Sequence, residues 1–346
     1  MIDCPLPTAN CPLPPAVYIE LHAASAFSFL QGASLPESLI ERAAALDYPA
    51  LALLDADGVY GAPRFHKAAQ QAGLRAIIGA ELTIAGGREQ GAGGRGRLNP
   101  ETALPPDPRP LSPSFWRLPV LVASAEGYRN LCRLVTRMKL RAPKGEGALV
   151  LEELDGFTAG LVALAGRPVL DARQHGVGGL LDRLVGLFGR SNVCVELQRH
   201  LLRDEESDNA ALTELAGAYR VPAIAANDVR MATAADRPLF DVLTCVRHHT
   251  TLDEAGRRLA RNAERYLKSP AVMAELFADR KDALKETMAL AERLEYTMAD
   301  LGYRFPAYPV PSGETAASFL RHVAEAGARD RYRPYPDKAR AQIARE

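Results

Sequence analysis

The chain has 346 residues, 47% of them hydrophobic, which suits one large domain plus an appendage better than a single small core. Lys plus Arg and Asp plus Glu both number 42, so the formal net charge is zero; a chain-wide nucleic-acid footprint is excluded and any basic surface must be local. Cys4, Cys11, Cys132, Cys194 and Cys245 are scattered without a C-x-x-C pair, which reads as reduced thiols of a cytoplasmic protein.

The first sixteen residues, MIDCPLPTANCPLPPA, form a Pro-rich leader with neither the basic start nor the apolar centre of a signal peptide. No later apolar run is long enough to cross a bilayer, so no membrane partner is expected. VYIEL (17–21) reads as a strand. It leads to a helix whose start is signalled by Ser34 with Glu37 as a capping box and by Pro36 in the first turn. Then follow ALALL (50–54), a helix near 61–72 ended by Gly73, and RAIIGAEL (75–82). The alternation continues with PVLVAS (119–124), a helix near 125–139, LVALA (161–165), a helix near 178–188, NVCVEL (192–197), a helix near 205–219 and PAIAA (222–226).

Seven apolar strands separated by helices predict a parallel sheet, because parallel neighbours need crossovers. Regular spacing of two-faced apolar strands suits a closed α/β barrel over 17–233 better than an open sheet. The Gly-, Pro- and Arg-rich stretch 85–113 interrupts the pattern and is predicted to be a surface insertion, its GGRGR (93–97) lacking the flanking strand and helix of a phosphate loop. From 234 to 346 the pattern is helical only, including KDALKETMALAERLEYT (281–297), and AQIARE stops in mid-pattern, which leads us to expect a longer natural chain.

In a parallel barrel the chemistry sits at the C-terminal ends of the strands. The polar residues there are His22, Asp55, Glu81, Arg167, Glu196, His200 and the Asn227–Asp228 pair. A histidine with converging carboxylates is how a divalent-metal site is assembled, while the same residue types also cap helices and pair with arginine. His248 and His249 are adjacent and would point about 100° apart on a helix, which prevents joint chelation. His66 and His200 have no partner in the sequence, and Trp116 is expected to pack core. The basic, Tyr-containing tract from Arg321 to Glu346 fits either phosphate contact or a solvated helix.

His22 followed by Ser25-x-Phe27-Ser28-x-Leu30-x-Gly32, then LALLDADGVYGAPRFHKAAQQAGLRAIIGAEL, VLVASAEGYRNLCRLVTR and AANDVRM, resembles the PHP (polymerase and histidinol phosphatase) domain of bacterial C-family DNA polymerases. DVLTCVRHHTTLDEAGRRLARNAERYLKSPAVMAELF is similar to the error-prone, translesion branch of that family. The resemblance implies an α/β fold, a PHP-type distorted seven-stranded barrel followed by an all-helical segment that begins the polymerase module. It implies a parent enzyme that extends primed DNA template with dNTPs using Mg in a palm domain, alongside translesion partner proteins and a sliding clamp. The palm's Gly-Arg-Gly-Ser motif and catalytic aspartates are absent from this chain, so the fragment itself is expected to hold no polymerase site and no cofactor.

Metal-binding relatives carry a full set of histidines and carboxylates at the barrel rim. Carried over by position, His22, Asp55, Glu81 and Asp228 remain, while Ala24, Gln31, Ala56, Arg167 and Arg230 stand where ligands would be. A guanidinium has no lone pair to give a metal. The expectation is a remnant, unoccupied site in a structural barrel, with Arg167 and Arg230 as counter-charges for Glu81 and Asp228. The alternatives are a metal-dependent phosphoesterase or 3′–5′ exonuclease using the four remaining ligands, and a protein-binding scaffold.

Overall fold

The computed structural model describes residues 18–86, 115–143, 147–171, 175–176, 178–299 and 308–346. The leader 1–16, the insertion beyond Gly86 and the GGRGR stretch therefore lie outside the described residues. The described residues divide into two compact units, one ending at Met298 and one starting at Ala299.

The first unit is built on a six-stranded sheet in simple chain order: β1 (Ala50–Ala56), β2 (Arg75–Ala85), β3 (Phe115–Val122), β4 (Leu161–Ala165), β5 (Val193–Gln198) and β6 (Ala223–Ala226). The expected first strand is instead an extended segment making isolated bridges, Glu20 with Leu51 and Ala23 with Val229. Its backbone serves both edges of the sheet. Ala52 N–H donates to Glu20 O at 3.0 Å and Leu54 N–H to Ala23 O at 2.7 Å, while Ala24 N–H donates to Val229 O at 2.9 Å. Residues 20–24 thus join β1 to the chain just after β6, and the sheet curls around toward a barrel.

One expectation fails: the sheet is not wholly parallel. β3 runs antiparallel to both β2 and β4. Parallel neighbours need a crossover, but a helix in the connection does not by itself enforce parallel pairing: β3 and β4 are antiparallel with the helix Ala125–Leu140 between them.

Helices cover the outer face: α1 (Pro36–Ala45), α2 (Ala62–Ala72), α3 (Ala125–Leu140), α4 (Gly179–Phe188) and α5 (Glu205–Tyr219). Leu39, Ile40, Phe65, Leu131, Leu134, Leu181, Leu184 and Leu212 pack there against Leu51, Leu53, Ile78 and Val120. Pro36 opens α1 and Gly73 closes α2 with φ 72°, as the sequence predicted. The capping box does not form. Leu35 is the N-cap, Ser34 Oγ accepts instead from Ala232 N–H at 2.7 Å, and Glu37 pairs with Arg64 at 2.6 Å. Ser34 therefore ties α1 to the loop after β6.

The opposite face of the sheet carries Ala52, Leu54, Ile77, Leu121, Val162, Leu164, Cys194 and Ile224. It is capped by Leu290, Ala291 and Leu294 in and just after a helix at Lys281–Arg293. With α6 (Arg237–His248) and α7 (Pro270–Leu276), this helix, α8, lies in the same compact unit as the sheet. The second unit holds α9 (Ala316–Arg331) and α10 (Asp337–Arg345). α9 starts at Thr315, whose hydroxyl accepts from Ser318 N–H.

Candidate metal-type centre at the strand ends

Alternation along the strands selects which carboxylates meet. Residues two apart share a face, so Glu81 lies on the face of Ile77, and Glu196 on the face of Cys194. The register pairs Ala56 with Glu81 and Asp55 with Ala80, which turns Asp55 to the other face from Glu81. The extended segment then brings His22 between them and the loop after β6.

The His22 ring is held at both nitrogens. Nδ1 lies 2.6 Å from Glu196 Oε1 and Nε2 lies 2.8 Å from Glu81 Oε1, with Asp228 Oδ1 at 3.7 Å. Burial opposes charge on this ring, but the carboxylates of Glu196, Asp228 and Glu81 prevail and hold its pKa well above the ordinary value. An imidazolium donating from both nitrogens fits that geometry.

Arg230 occupies the same space. Its Nη1 donates to Glu81 Oε2 at 3.0 Å and its Nη2 to Glu81 Oε1, while Nη2 makes an ion-pair contact with Asp228 Oδ1. Burial disfavours the guanidinium charge, yet Asp228 and Glu81 push its pKa above the usual arginine range. Burial would also raise the carboxyl of Glu81; Arg230 and His22 instead hold it well below the usual carboxylate range. Asp228 is likewise lowered, against its burial, by Arg230, Arg265 and His22. Its backbone has φ 44°, a left-handed conformation that Asp tolerates better than most residues and that is stored strain at a shaped site.

His22, Glu81 and Asp228 offer ligand atoms all within 4.8 Å of one another, the spacing a divalent ion would use. The donor chemistry in this arrangement does not fit one. A doubly protonated imidazole has no lone pair, and a guanidinium between the two carboxylates repels a cation.

The other positions are placed differently. Asp55 accepts from Ser25 N–H at 2.8 Å, from Ser25 Oγ at 2.9 Å and from Ser28 Oγ at 2.9 Å, which pins the turn 25–31. Gly32 is needed beside it, because a Cβ there would sit 2.2 Å from Ser25 O. Of the positions that depart from the metal-binding pattern, Gln31 accepts from Arg117 at 3.3 Å and Ala56 N–H donates to Ser28 Oγ at 2.9 Å. Arg167 does not reach Glu81 or Asp228. It opens a short 3-10 helix after β4 and its Nε donates to Asp208 Oδ2 on α5 at 2.6 Å, half exposed, so its expected counter-charge role is corrected. Arg265 takes that place, pairing with Asp228 from a loop 37 residues away.

Arg265 and Glu20 escaped sequence reasoning, as did the partners of Glu196 and His200. Arg265 sits in no strand and had no local signal. Glu196 had one, its place at a strand end, but its pairing with His22 spans 174 residues. Glu20 is buried and accepts from Tyr18 Oη at 2.6 Å and His22 N–H at 2.9 Å; burial raises its carboxyl to about 7. His200 bonds Glu205 at 2.9 Å and Asn227 O at 2.8 Å and is a satisfied core histidine. His248 and His249 end α6 exposed, and Trp116 packs against the outer core from within β3. In the C-terminal tract, Arg329, Arg333 and Arg340 each pair with a nearby acid, the arrangement of a solvated helix.

Residues 20–200, more than half of the chain, match the PHP domain family. The chain belongs to the PHP domain family. This PHP chain is similar to error-prone DNA polymerases: it is 37% identical to that of Mycolicibacterium paratuberculosis, covering 95% of this chain and 30% of the relative. It is 40% identical to that of Anaeromyxobacter dehalogenans over 85% of this chain and 24% of the relative. The PHP chain thus spans less than a third of the length of these curated relatives. Among solved structures, an amidohydrolase from Chromobacterium violaceum, with bound sulfate and no metal, aligns with 62% of this chain and 87% of its own at a TM-score of 0.38 and 18% identity.

Proposed function

We propose that this chain is the PHP portion of an error-prone DNA polymerase, a barrel whose role is structural and whose metal site has been replaced by a protein ion network. The observation that carries this reading is the Arg230 guanidinium set between Glu81 and Asp228, where its fixed charge does the work of a cation. The likeness to error-prone polymerases across 95% of the chain supplies the context. The parent would extend primed DNA with dNTPs in DNA damage-induced translesion synthesis, using Mg in a palm that this chain does not contain. Its partners would be translesion proteins and a sliding clamp, and its compartment the cytoplasm. Among the described residues no helix is long and apolar enough to cross a membrane.

Metal analysis of the purified chain tests the barrel reading. Far less than one zinc or manganese per chain is expected; about one or more per chain overturns it. The parent reading is tested by the downstream reading frame, which should encode Gly-Arg-Gly-Ser and an Asp-x-Asp pair.

A metal-dependent phosphoesterase or 3′–5′ exonuclease is favoured only by the mutual spacing of His22, Glu81 and Asp228. It requires turnover with manganese that Glu81→Ala abolishes, and absence of turnover removes it. A pure protein-binding scaffold requires that no DNA binding be detected at low salt.

A further inference from the structure

Residues three and four apart share one face of a helix, and on α5 the stripe of Glu206, Asn209, Ala210, Thr213 and Glu214 meets the chain that follows α7 across a cavity. The cavity holds about 320 Å³ and is lined also by Leu197 in β5 and by Phe277, Asp279 and Arg280. None of these residues belongs to the His22 cluster. A space of that size falls in the range that small ligands occupy and is larger than a single water needs.

Arg199 lines the cavity too, and every one of its donors is taken. Its Nη1 donates to Leu276 O and Asp279 Oδ1, both at 2.5 Å, and its Nη2 to Glu206 Oε2 and Asp279 Oδ2, both at 2.9 Å. Its Nε lies 2.9 Å from Glu206 Oε1, and its guanidinium stands 4.9 Å from the centre of the Phe277 ring. Arg280 is held by both carboxylate oxygens of Asp282, at 3.1 and 3.2 Å, and by Thr213 Oγ1. The lining carboxylates are therefore in surplus. Arg199 balances one charge of the Glu206 and Asp279 pair, and Glu214 has no hydrogen-bond or ion-pair partner among the described residues.

That chemistry selects the ligand. An anion would meet surplus negative charge, and Arg199 has no N–H left to give it. A metal ion is disfavoured by spacing: among the described residues only His22, Glu81 and Asp228 bring three metal-type ligand atoms within 4.8 Å of one another. A cation on an apolar stem fits both features, its methylenes covering Leu197, Ala210 and Phe277 while its charge meets the carboxylates. We propose that the cavity between α5 and the chain after α7 binds an alkyl ammonium ion, as carried by a lysine side chain or a free diamine, with its charged head at Glu214. The proposal is independent of the polymerase reading and of the His22 cluster.

Isothermal titration calorimetry of the full chain tests it with N-acetyl-lysinamide and with diaminopentane. Both should bind, and more weakly as salt rises. N-acetyl-norleucinamide, which keeps the stem and lacks the ammonium, should bind about 5-fold more weakly or not at all. Glu214→Gln should weaken the lysine derivative about 3- to 5-fold and leave the norleucine derivative unchanged. Ala210→Leu, which fills the cavity, should abolish binding of both cations. Neither variant should melt below the wild-type chain, because Ala210 and Glu214 are exposed. Tighter binding of the lysine derivative assigns the head to a partner protein's side chain, and tighter binding of the diamine to a free polyamine; either supports the site. No binding of either cation, equal binding of the norleucine derivative, indifference to both substitutions, or displacement of the cation by manganese or by inorganic phosphate overturns the proposal.

Discussion

Arg230 grips Glu81 at two points, Nη1 to Oε2 at 3.0 Å and Nη2 to Oε1, with both side chains buried. Removing one member of such a pair strands the other charge in a medium that solvates it poorly. Arg230→Ala should therefore lower stability by about 3–5 kcal/mol in urea titration. Manganese or zinc should recover part of that loss in the variant, because Glu81, Asp228 and His22 then lose the guanidinium set among them, and should leave the wild-type chain unchanged.

Arg167 makes the contrasting prediction. Its pair with Asp208 is roughly half exposed, where water screens the attraction and the long side chain loses freedom. Arg167→Ala should change stability by no more than about 0.5 kcal/mol by the same titration. A loss comparable to that of Arg230→Ala would return Arg167 to the buried network.

Glu20 sets a pH dependence. Burial raises its folded carboxyl from 4.5 to about 7, so the folded chain prefers the protonated form. Below 4.5 both states are protonated and no penalty exists. Between 4.5 and 7 the unfolded chain ionises first, and stability falls as pH rises, by at most about 3 kcal/mol. Glu20→Gln keeps an acceptor for the His22 and Asn227 N–H groups, and should flatten this slope and be the more stable chain at pH 8. Equal slopes for the two chains in denaturation at pH 5 and pH 8 would contradict the assignment.

Asp55 accepts from three donor groups, Ser25 N–H, Ser25 Oγ and Ser28 Oγ, and is not part of the His22, Glu81 and Asp228 cluster. Asp55→Ala should cost on the order of 1.5–3 kcal/mol, the worth of bonds to a charged acceptor, and should open the 25–31 turn to proteolysis. Divalent-cation affinity should not change. An altered affinity on calorimetric titration would place Asp55 in the metal-type cluster after all.

The amino-acid sequence by itself determined the elements and the cast of the site. Period-two and period-3.6 apolar patterns located six strands and the outer helices, because local burial preference is written residue by residue. Strand-end position marked His22, Glu81, Glu196 and Asp228, and the two arginines argued against metal ligation from donor chemistry alone. Only the tertiary structure decided which of them meet. Register, not composition, turned Asp55 away from Glu81, since a shift of one residue reverses every side chain on a strand. Only folding brought Arg265 to Asp228 and Glu196 to His22 across 37 and 174 residues, and it sent Arg167 to Asp208 instead. Such pairings depend on where distant backbone segments come to lie, and no local pattern encodes that distance.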